Sequence, residues 1–412
     1  MFEDFIQEHP IHFAWNSLQD SLVTAQLTQD RKSGKHEVAI SSDNPLLFTS
    51  DLCSVELKNN DENTKFEVNV NVTKLSAFEI KGLLDRVSYR PNKYCVNRFV
   101  YIIPNSGDRH FVHNKLSWVS SLDCKFNMYK EKVEVLLPQT VSATSSMYVE
   151  LSEHVEGQIK ILGTMLTFCR STTVEWESKY SYHDDNQVAF EYIKARSKES
   201  FPNQINPLRR DEASWTAFLL HCMTNELKME SLIESGVYQA IGNLRWTQVI
   251  DEWSLIRLVA ALEGMVLSKD TLIPESRWKR LRRQFVKQVQ VSLSRDTQQD
   301  TIDTLSMNIN NSDRVINQQS LKSRLKHSME ELNLASYYAQ EKDSINAIIN
   351  SRNNIVHTGW DRHLSDPIWE MIVTMRNANY LLIMRKLNYS GEFWFCLDGT
   401  KQSVNKYVQQ TI

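Results

Sequence analysis

An arginine near the C-terminus lies where a helical pattern calls for an apolar side chain. The apolar stripe of this segment consists of Ile345, Ile348, Ile349, Ile355 and Val356. If Ile345 is set to 0°, Arg352 falls at about 340°, inside the stripe. A charge on an apolar face needs an anionic partner, and His357 follows five residues later. An arginine that meets a phosphate and a histidine that moves a proton are together suited to RNA cleavage.

Two further polar residues accompany this pair. Asn353, at about 80°, and His357, at about 120°, share a shoulder of the stripe. Upstream, Glu263 is one of only two charged residues in the apolar run 255–267. A helix that is apolar on most sides is a central one, so we expect Glu263 to be buried or to lie at an interface. Arg352 is its natural partner.

A third feature is a run with six basic residues in eleven. Arg280, Arg283 and Lys287 share one helical face and could follow a phosphate backbone. The candidate RNA-binding residues are Arg277, Lys279, Arg280, Arg282, Arg283 and Lys287. Trp278 and Phe285 lie in the same run, and each fits either a core anchor or a stacking platform.

Each feature also has a purely structural interpretation. Arg352 could cover apolar surface with its stem while its head reaches water, and a histidine in a last helical turn is favourable with the helix dipole. Glu263 could belong to a structural ion pair. The basic run could be a solvated helix face.

Metal and cofactor chemistry has little support. His110 and His113, with His183 as a distant third, have a spacing that a metal could use, but no further ligand is evident. The six cysteines lack metal-ligand spacing, and neither a glycine-rich phosphate loop nor a dinucleotide fingerprint occurs. We therefore predict no metal and no cofactor.

Bulk composition indicates an ordinary globular protein. The 412 residues carry 50 acidic and 47 basic side chains, for a net charge of −3, so any polyanion must be met by local charge. No signal peptide is evident, and no stretch approaches the roughly 20 apolar residues that span a bilayer. We expect a cytoplasmic protein with free thiols and no membrane partner.

The predicted secondary structure that positions these residues changes from strands to helices near residue 200. The expected strands cover 66–72, 99–103, 132–137, 148–151 and 158–162. They predict a β-rich domain over 1–200, built as a sandwich or barrel, with one helix near Lys74–Val87.

From residue 208 the periodicity becomes helical. The expected helices contain residues 215–227, 255–266, 321–332, 345–357 and 368–382. Residues 197–207 suit a linker, and 296–319 suit a long loop. The fold class is therefore α+β, with a helical bundle over 208–412.

The motif that starts with Arg352 and Asn353 and ends at His357 resembles the signature of the HEPN superfamily of α-helical ribonucleases. The flanking Ile-Val and Thr-Gly, with Ala261-Leu-Glu263 upstream, are most similar to the ApeA-like HEPN branch, which is associated with bacterial anti-phage defence. The resemblance covers roughly residues 208–412. It implies an antiparallel helical bundle that pairs with a second copy to form a composite cleft.

The resemblance also implies an activity. A metal-independent endoribonuclease is expected, with His357 as general base or acid and Arg352 as stabiliser of the phosphate charge. Asn353 would orient the phosphate or the histidine, and Glu263 would hold the arginine. The implied products carry a 2′,3′-cyclic phosphate and a 5′-hydroxyl.

The resemblance points to RNA with exposed single-stranded loops, such as transfer RNA, as the substrate in an abortive-infection response. The N-terminal domain would be a sensor, for a phage-derived trigger, or a regulator. The alternative is a non-catalytic module that binds a nucleotide, RNA or a partner protein.

Overall fold

A computed structural model describes most, but not all, of the chain. The described residues are 23–29, 36–42, 54–58, 64–75, 79–102, 115–129, 132–170, 173–193, 212–245, 252–266, 274–293, 301–303, 307, 320–358, 368–394 and 401–404. The chain divides into two compact units, Met1–Ser231 and Leu232–Ile412. The expected linker at 197–207 and most of the expected loop at 296–319 lie outside the described residues.

The first unit is built on a β-sheet. Its described strands are β1 (Val23–Gln29), β2 (His36–Ser42), β3 (Ser54–Lys58), β4 (Thr64–Leu75), β5 (Glu79–Pro91), β6 (Cys95–Ile102), β7 (Leu116–Val119), β8 (Lys125–Tyr129), β9 (Lys132–Ser142), β10 (Ser178–His183) and β11 (Asn186–Ile193). Every recorded pairing between them is antiparallel.

The pairings join these eleven strands into one sheet, where a sandwich or barrel was expected. Its path runs β1-β2-β5-β11-β10-β6-β9-β8-β7, with β4 and β3 off this path. The long strand β5 pairs with β4 along one edge, while β2 and β11 share its other edge. Apolar and polar positions alternate along β9, whose burial follows the period of two of a half-buried strand.

The helix expected near Lys74–Val87 is wrong, because residues 74–75 end β4 and residues 79–87 belong to β5, while residues 76–78 lie outside the described part of the chain. Its apolar residues recur at helical spacing, but the backbone pairs with β4 through two register shifts. Cross-strand hydrogen bonding over twelve residues outweighs a weak local preference. A bulged strand and a short helix therefore look alike in this stretch of sequence.

The strands expected at 148–151 and 158–162 are also wrong, because both fall within the 25-residue helix α1 (Ser146–Arg170). Its buried residues include Leu151, Val155, Ile159, Leu162 and Leu166, which recur at helical spacing. Gly157 and Gly163 suggested strand ends but lie inside the helix. A Cβ on Gly163 would stand 2.8 Å from the Val174 carbonyl oxygen, so glycine allows the chain to approach closely there.

Helix α2 (Glu212–Thr224) packs in the first unit, although the sequence placed it with the later helices. Its Phe218 contacts Phe168 of α1, with ring centroids 5.3 Å apart. The helix ends before Leu227 because Glu226 adopts a left-handed conformation, with φ of 46°. The boundary between the compact units therefore lies at 231/232.

The second unit is mostly helical, and the whole chain is an α+β protein. Its remaining described elements are α3 (Met229–Glu234, across the boundary), α4 (Val237–Arg245), α5 (Glu252–Met265), α6 (Glu275–Leu293), α7 (Leu321–Glu331), α8 (Ala335–Thr358), α9 (Ile368–Lys386), β12 (Glu392–Trp394) and β13 (Lys401–Ser403). Helices α5, α7, α8 and α9 confirm four expected helices. Helices α5, α8 and α9 pack on one another, and α9 is buried continuously from Ile372 to Met384.

Candidate functional site

Arg352 on α8 and Glu263 on α5 form an ion pair. The arginine Nη2 donates to the Glu263 Oε2 at 3.1 Å. Their side chains keep 24% and 33% of their exposure, so the pair is half-buried and retains contact with solvent. The structure thus brings together the two charges that stand out on their apolar helices.

Asn353 completes a small polar cluster. Its Oδ1 accepts a hydrogen bond from Nη1 of Arg352 at 3.0 Å, and the asparagine itself is exposed. Two oxygens therefore hold two edges of one planar guanidinium, which fixes its orientation. The Arg352 Nε is shielded from solvent and has no hydrogen-bond partner among the described residues.

His357 lies in the last turn of α8, which ends at Thr358. Its backbone is part of the helix, but its side chain is outside the described part of the structure. Helix geometry places its Cα about 7.5 Å along the axis from that of Arg352. The two residues therefore lie at one end of α8.

The apolar stripe around Arg352 divides into a buried and an exposed part. Ile348 and Ile349 are buried and Ile355 is 7% exposed, whereas Val356 keeps 51% of its exposure. The stripe therefore runs from the core of the unit out to its surface at the end that holds His357. Arg352 stands at this transition.

The six candidate RNA-binding residues all lie on α6, from Arg277 to Lys287. Five are exposed, and Arg282 is intermediate. Phe285 keeps 60% of its exposure, which excludes the core-anchor interpretation for this ring. Trp278 is intermediate.

Helix α9 carries four buried polar residues, Thr374 and three larger ones, which sequence reasoning missed. Arg376 is 1%, Asn377 2% and Asn379 0% exposed. Asn379 donates from Nδ2 to the Leu258 carbonyl on α5 at 3.1 Å and to the Met375 carbonyl at 2.8 Å. The signal was available, since Arg376 and Asn379 interrupt the apolar stripe of α9 as Arg352 interrupts that of α8.

A second partly buried cation, Lys179 on β10, was also missed. Its Nζ donates to the Glu156 Oε1 on α1 at 2.7 Å and to the Ser152 Oγ at 3.1 Å. The ammonium also lies 4.7 Å from the centroid of the Phe99 ring. This cluster belongs to the sheet unit.

The metal alternative gains no support. His110 and His113 lie outside the described residues, and His183 ends β10. Across the described ranges, no group of three or more His, Cys, Asp or Glu side chains could hold a metal ion. Within the same ranges, no helix is long and apolar enough to cross a membrane.

No protein-family model, curated protein or solved structure matches the chain.

Proposed function

We propose that the helical unit is a metal-independent endoribonuclease of the HEPN type, and that it acts in anti-phage defence. The observation that carries the proposal is the arrangement of Arg352, Glu263 and Asn353. A guanidinium is held by two hydrogen bonds and its side chain keeps 24% of its exposure, at the helix end that also contains His357.

In the proposed reaction, His357 takes the proton of an RNA 2′-hydroxyl as that oxygen attacks the adjacent phosphorus. The bond from phosphorus to the 5′-oxygen breaks, this oxygen receives a proton from solvent water, and His357 returns its own proton to solvent. The products are a 2′,3′-cyclic phosphate and a 5′-hydroxyl. Arg352 stabilises the charge that develops on the phosphate oxygens.

Glu263 and Asn353 serve as positioning residues in this scheme. Each terminal nitrogen of the guanidinium donates one hydrogen bond to these residues, Nη2 to Glu263 and Nη1 to Asn353. The second hydrogen of each nitrogen would then be available to a phosphate. An arginine that is already oriented loses less side-chain entropy when the phosphate arrives. Preorganised charge in a partly dry site also stabilises the transition state more than a free side chain would.

The proposed assembly is a homodimer through the helical units, in the cytoplasm. Val356 is an exposed apolar residue beside the cluster and would be covered by the second copy. The proposed substrate is RNA with single-stranded loops, such as transfer RNA, since loops offer unstacked bases. The sheet unit would serve as the sensor of a phage component or as a regulator.

The second candidate is a non-catalytic module that binds a nucleotide, RNA or a partner protein. The same ion pair favours it, because Glu263 already neutralises Arg352 within one chain. In that case the cluster would stabilise the helical unit or hold a ligand without cutting it.

The first test is RNA cleavage in excess chelator. The wild-type chain and its Arg352→Ala and His357→Ala variants are incubated with total RNA, and the new ends are analysed for 2′,3′-cyclic phosphate. We expect about a 10²–10³-fold loss of cleavage rate for Arg352→Ala, the size of a lost oxyanion contact. For His357→Ala we expect about a 10²–10⁴-fold loss.

The matched control is His327→Ala, since His327 is an exposed histidine on α7 that pairs with Glu331 at 3.2 Å. This variant should cleave like the wild type. Cleavage that requires added metal contradicts the mechanism. RNA that stays intact both with the purified protein and in phage-infected cells expressing it supports the binding module instead.

A further inference from the structure

Helix α6 differs from the other long helices in that none of its described side chains is buried. Leu281, Phe285 and Val291 are 38%, 60% and 75% exposed. An aromatic ring that is more than half exposed on a 19-residue helix contributes little to a core. Its presence there calls for another explanation.

The exposed ring lies between two kinds of surface on this helix. If Glu275 is set to 0°, Leu281 and Phe285 fall at about 240° and 280°. Arg283, Lys287 and Arg280 fall at about 80°, 120° and 140°. Arg277, at about 200°, joins the two sectors, so the apolar sector has a basic border.

The charge of α6 is opposite in sign to that of the chain. The helix contains six basic residues and one acidic residue, Glu275, whereas the whole protein has a net charge of −3. The remainder of the molecule is therefore distinctly acidic, and α6 concentrates the positive charge. A polyanion is the ligand that such a local field attracts.

A symmetric contact between α6 and the α6 of a second copy would fit this surface poorly. Helices that pack on each other have axes about 8–10 Å apart, so two copies of α6 would bring two strongly positive helices together. Single-stranded RNA avoids this repulsion, since its phosphates meet the basic sector. Its unpaired bases also offer flat apolar faces to the ring. A double helix keeps its bases stacked and offers the ring no partner.

We propose that α6 is a docking surface for single-stranded RNA, on which Phe285 stacks against a base while Arg280, Arg283 and Lys287 contact phosphates. This inference rests on the proposed function and names how its substrate is held. The surface selects single-stranded over double-stranded RNA and is largely indifferent to sequence.

The experiment measures binding of fluorescein-labelled oligouridine to the full chain carrying His357→Ala, which prevents cleavage. Adding Phe285→Ala should weaken binding by about 5- to 100-fold, the range for loss of one base–aromatic stack. Phe285→Tyr should restore it. Val291→Ala is the matched control, since it removes an exposed apolar side chain of α6 from another sector, and it should bind like the parent.

Salt dependence separates stacking from phosphate contact. Lys287→Ala should reduce the slope of log affinity against log salt by about 0.7, whereas Phe285→Ala should leave the slope unchanged. A duplex of the same length should bind weakly and should not respond to Phe285→Ala.

The inference is overturned if Phe285→Ala binds oligouridine like its parent, if the duplex binds equally well, or if the parent binds neither. A change of sedimentation in Phe285→Ala with unchanged RNA affinity would assign the surface to a second copy. Wild-type cleavage that is insensitive to Phe285 leaves the proposed function standing and rejects this surface. Phe285-dependent binding without any cleavage does the reverse.

Discussion

Each compact unit contains an ion pair between a cationic side chain and a glutamate on a helix. The two pairs differ in how far the cation is shielded from solvent. Lys179 keeps 8% of its side-chain exposure beside Glu156, whereas Arg352 keeps 24% beside Glu263. The lysine ammonium is covered by the rings of Phe99 and Tyr101, at 4.7 and 5.7 Å. The arginine has an exposed asparagine as its second partner.

The difference separates a structural cation from one that can meet a ligand. Lys179 joins β10 to α1, and ring faces, a hydroxyl and a carboxylate take up its surroundings. Arg352 also joins two helices, but its side chain keeps 24% of its exposure. Removing the partner of an enclosed cation costs more stability than removing the partner of a half-exposed one, and the half-exposed cation remains accessible to an anion.

The largest effect is expected for Glu156→Ala. This change leaves the Lys179 ammonium enclosed without its carboxylate, and removal of one partner from a buried pair costs about 3–5 kcal/mol. Since Glu156 keeps 37% of its exposure, we expect about 3 kcal/mol, at the lower end. The measurement is chemical unfolding of the full chain, followed by circular dichroism.

Glu153→Ala provides the matched control, because Glu153 is exposed on the same helix. It should change the free energy of unfolding by less than about 0.5 kcal/mol. If Glu156→Ala costs no more than this control, Lys179 does not depend on its carboxylate and the distinction between the pairs fails.

The two pairs also differ in how well the sequence announces them. Arg352 and Glu263 interrupt long apolar stripes on their helices. Helical periodicity can be read from local sequence, so both residues can be identified without knowledge of the tertiary structure. Lys179 lies in a short strand whose partners on α1 are 23 and 27 residues away. Its environment depends on cross-strand pairing, which the local pattern does not encode.

The same reasoning explains which elements were predictable. Strands β4, β6 and β9 and the later helices follow clear periods of 2 or 3.6 and were located. Helix α1 was divided into strands because its two glycines resembled turn signals. Arg376 and Asn379 were detectable by the argument that located Arg352, but the partner of Asn379 is a backbone carbonyl on α5, which no residue type reveals.

A smaller effect is expected for the coupling between Arg352 and Glu263. A double-mutant cycle with Arg352→Ala and Glu263→Ala should give a coupling energy of about 0.2–1 kcal/mol in unfolding, the range for pairs that keep solvent contact. The Lys326 and Glu330 pair on α7, with side chains 60% and 49% exposed, is the reference and should couple by about 0.3–0.5 kcal/mol.

A coupling above about 2 kcal/mol would place Arg352 in the same class as Lys179, since only enclosed pairs reach that size. The cluster would then be structural, and the non-catalytic alternative would gain at the expense of the nuclease. A weak coupling between Arg352 and Glu263, combined with a large loss of cleavage in Arg352→Ala, would support the proposed distinction between the two ion pairs.

The smallest effect concerns His154, which lies on α1 two residues before Glu156 and is half-buried. Burial lowers the pKa of His154 below its ordinary 6.5, and this outweighs the opposing influence of Glu226 and Glu150. A lowered pKa in the folded state means that the fold prefers the neutral ring. The contribution of the neutral His154 ring to stability is therefore fully present above pH 6.5. It is lost as the pH falls through the pKa of the unfolded state toward the lower pKa of the folded state.

His154→Gln should flatten this decline in the free energy of unfolding, measured between neutral and mildly acidic pH. The Nε2 of His154 is shielded and has no hydrogen-bond partner among the described residues, so protonation would add an unpaired charge to the same helix that Lys179 contacts. If His154→Gln leaves the pH dependence of unfolding unchanged, α1 accommodates the protonated ring without loss of stability. The enclosure of Lys179 would then depend on its own contacts with the rings and the carboxylate, and not on a rigid surface of α1.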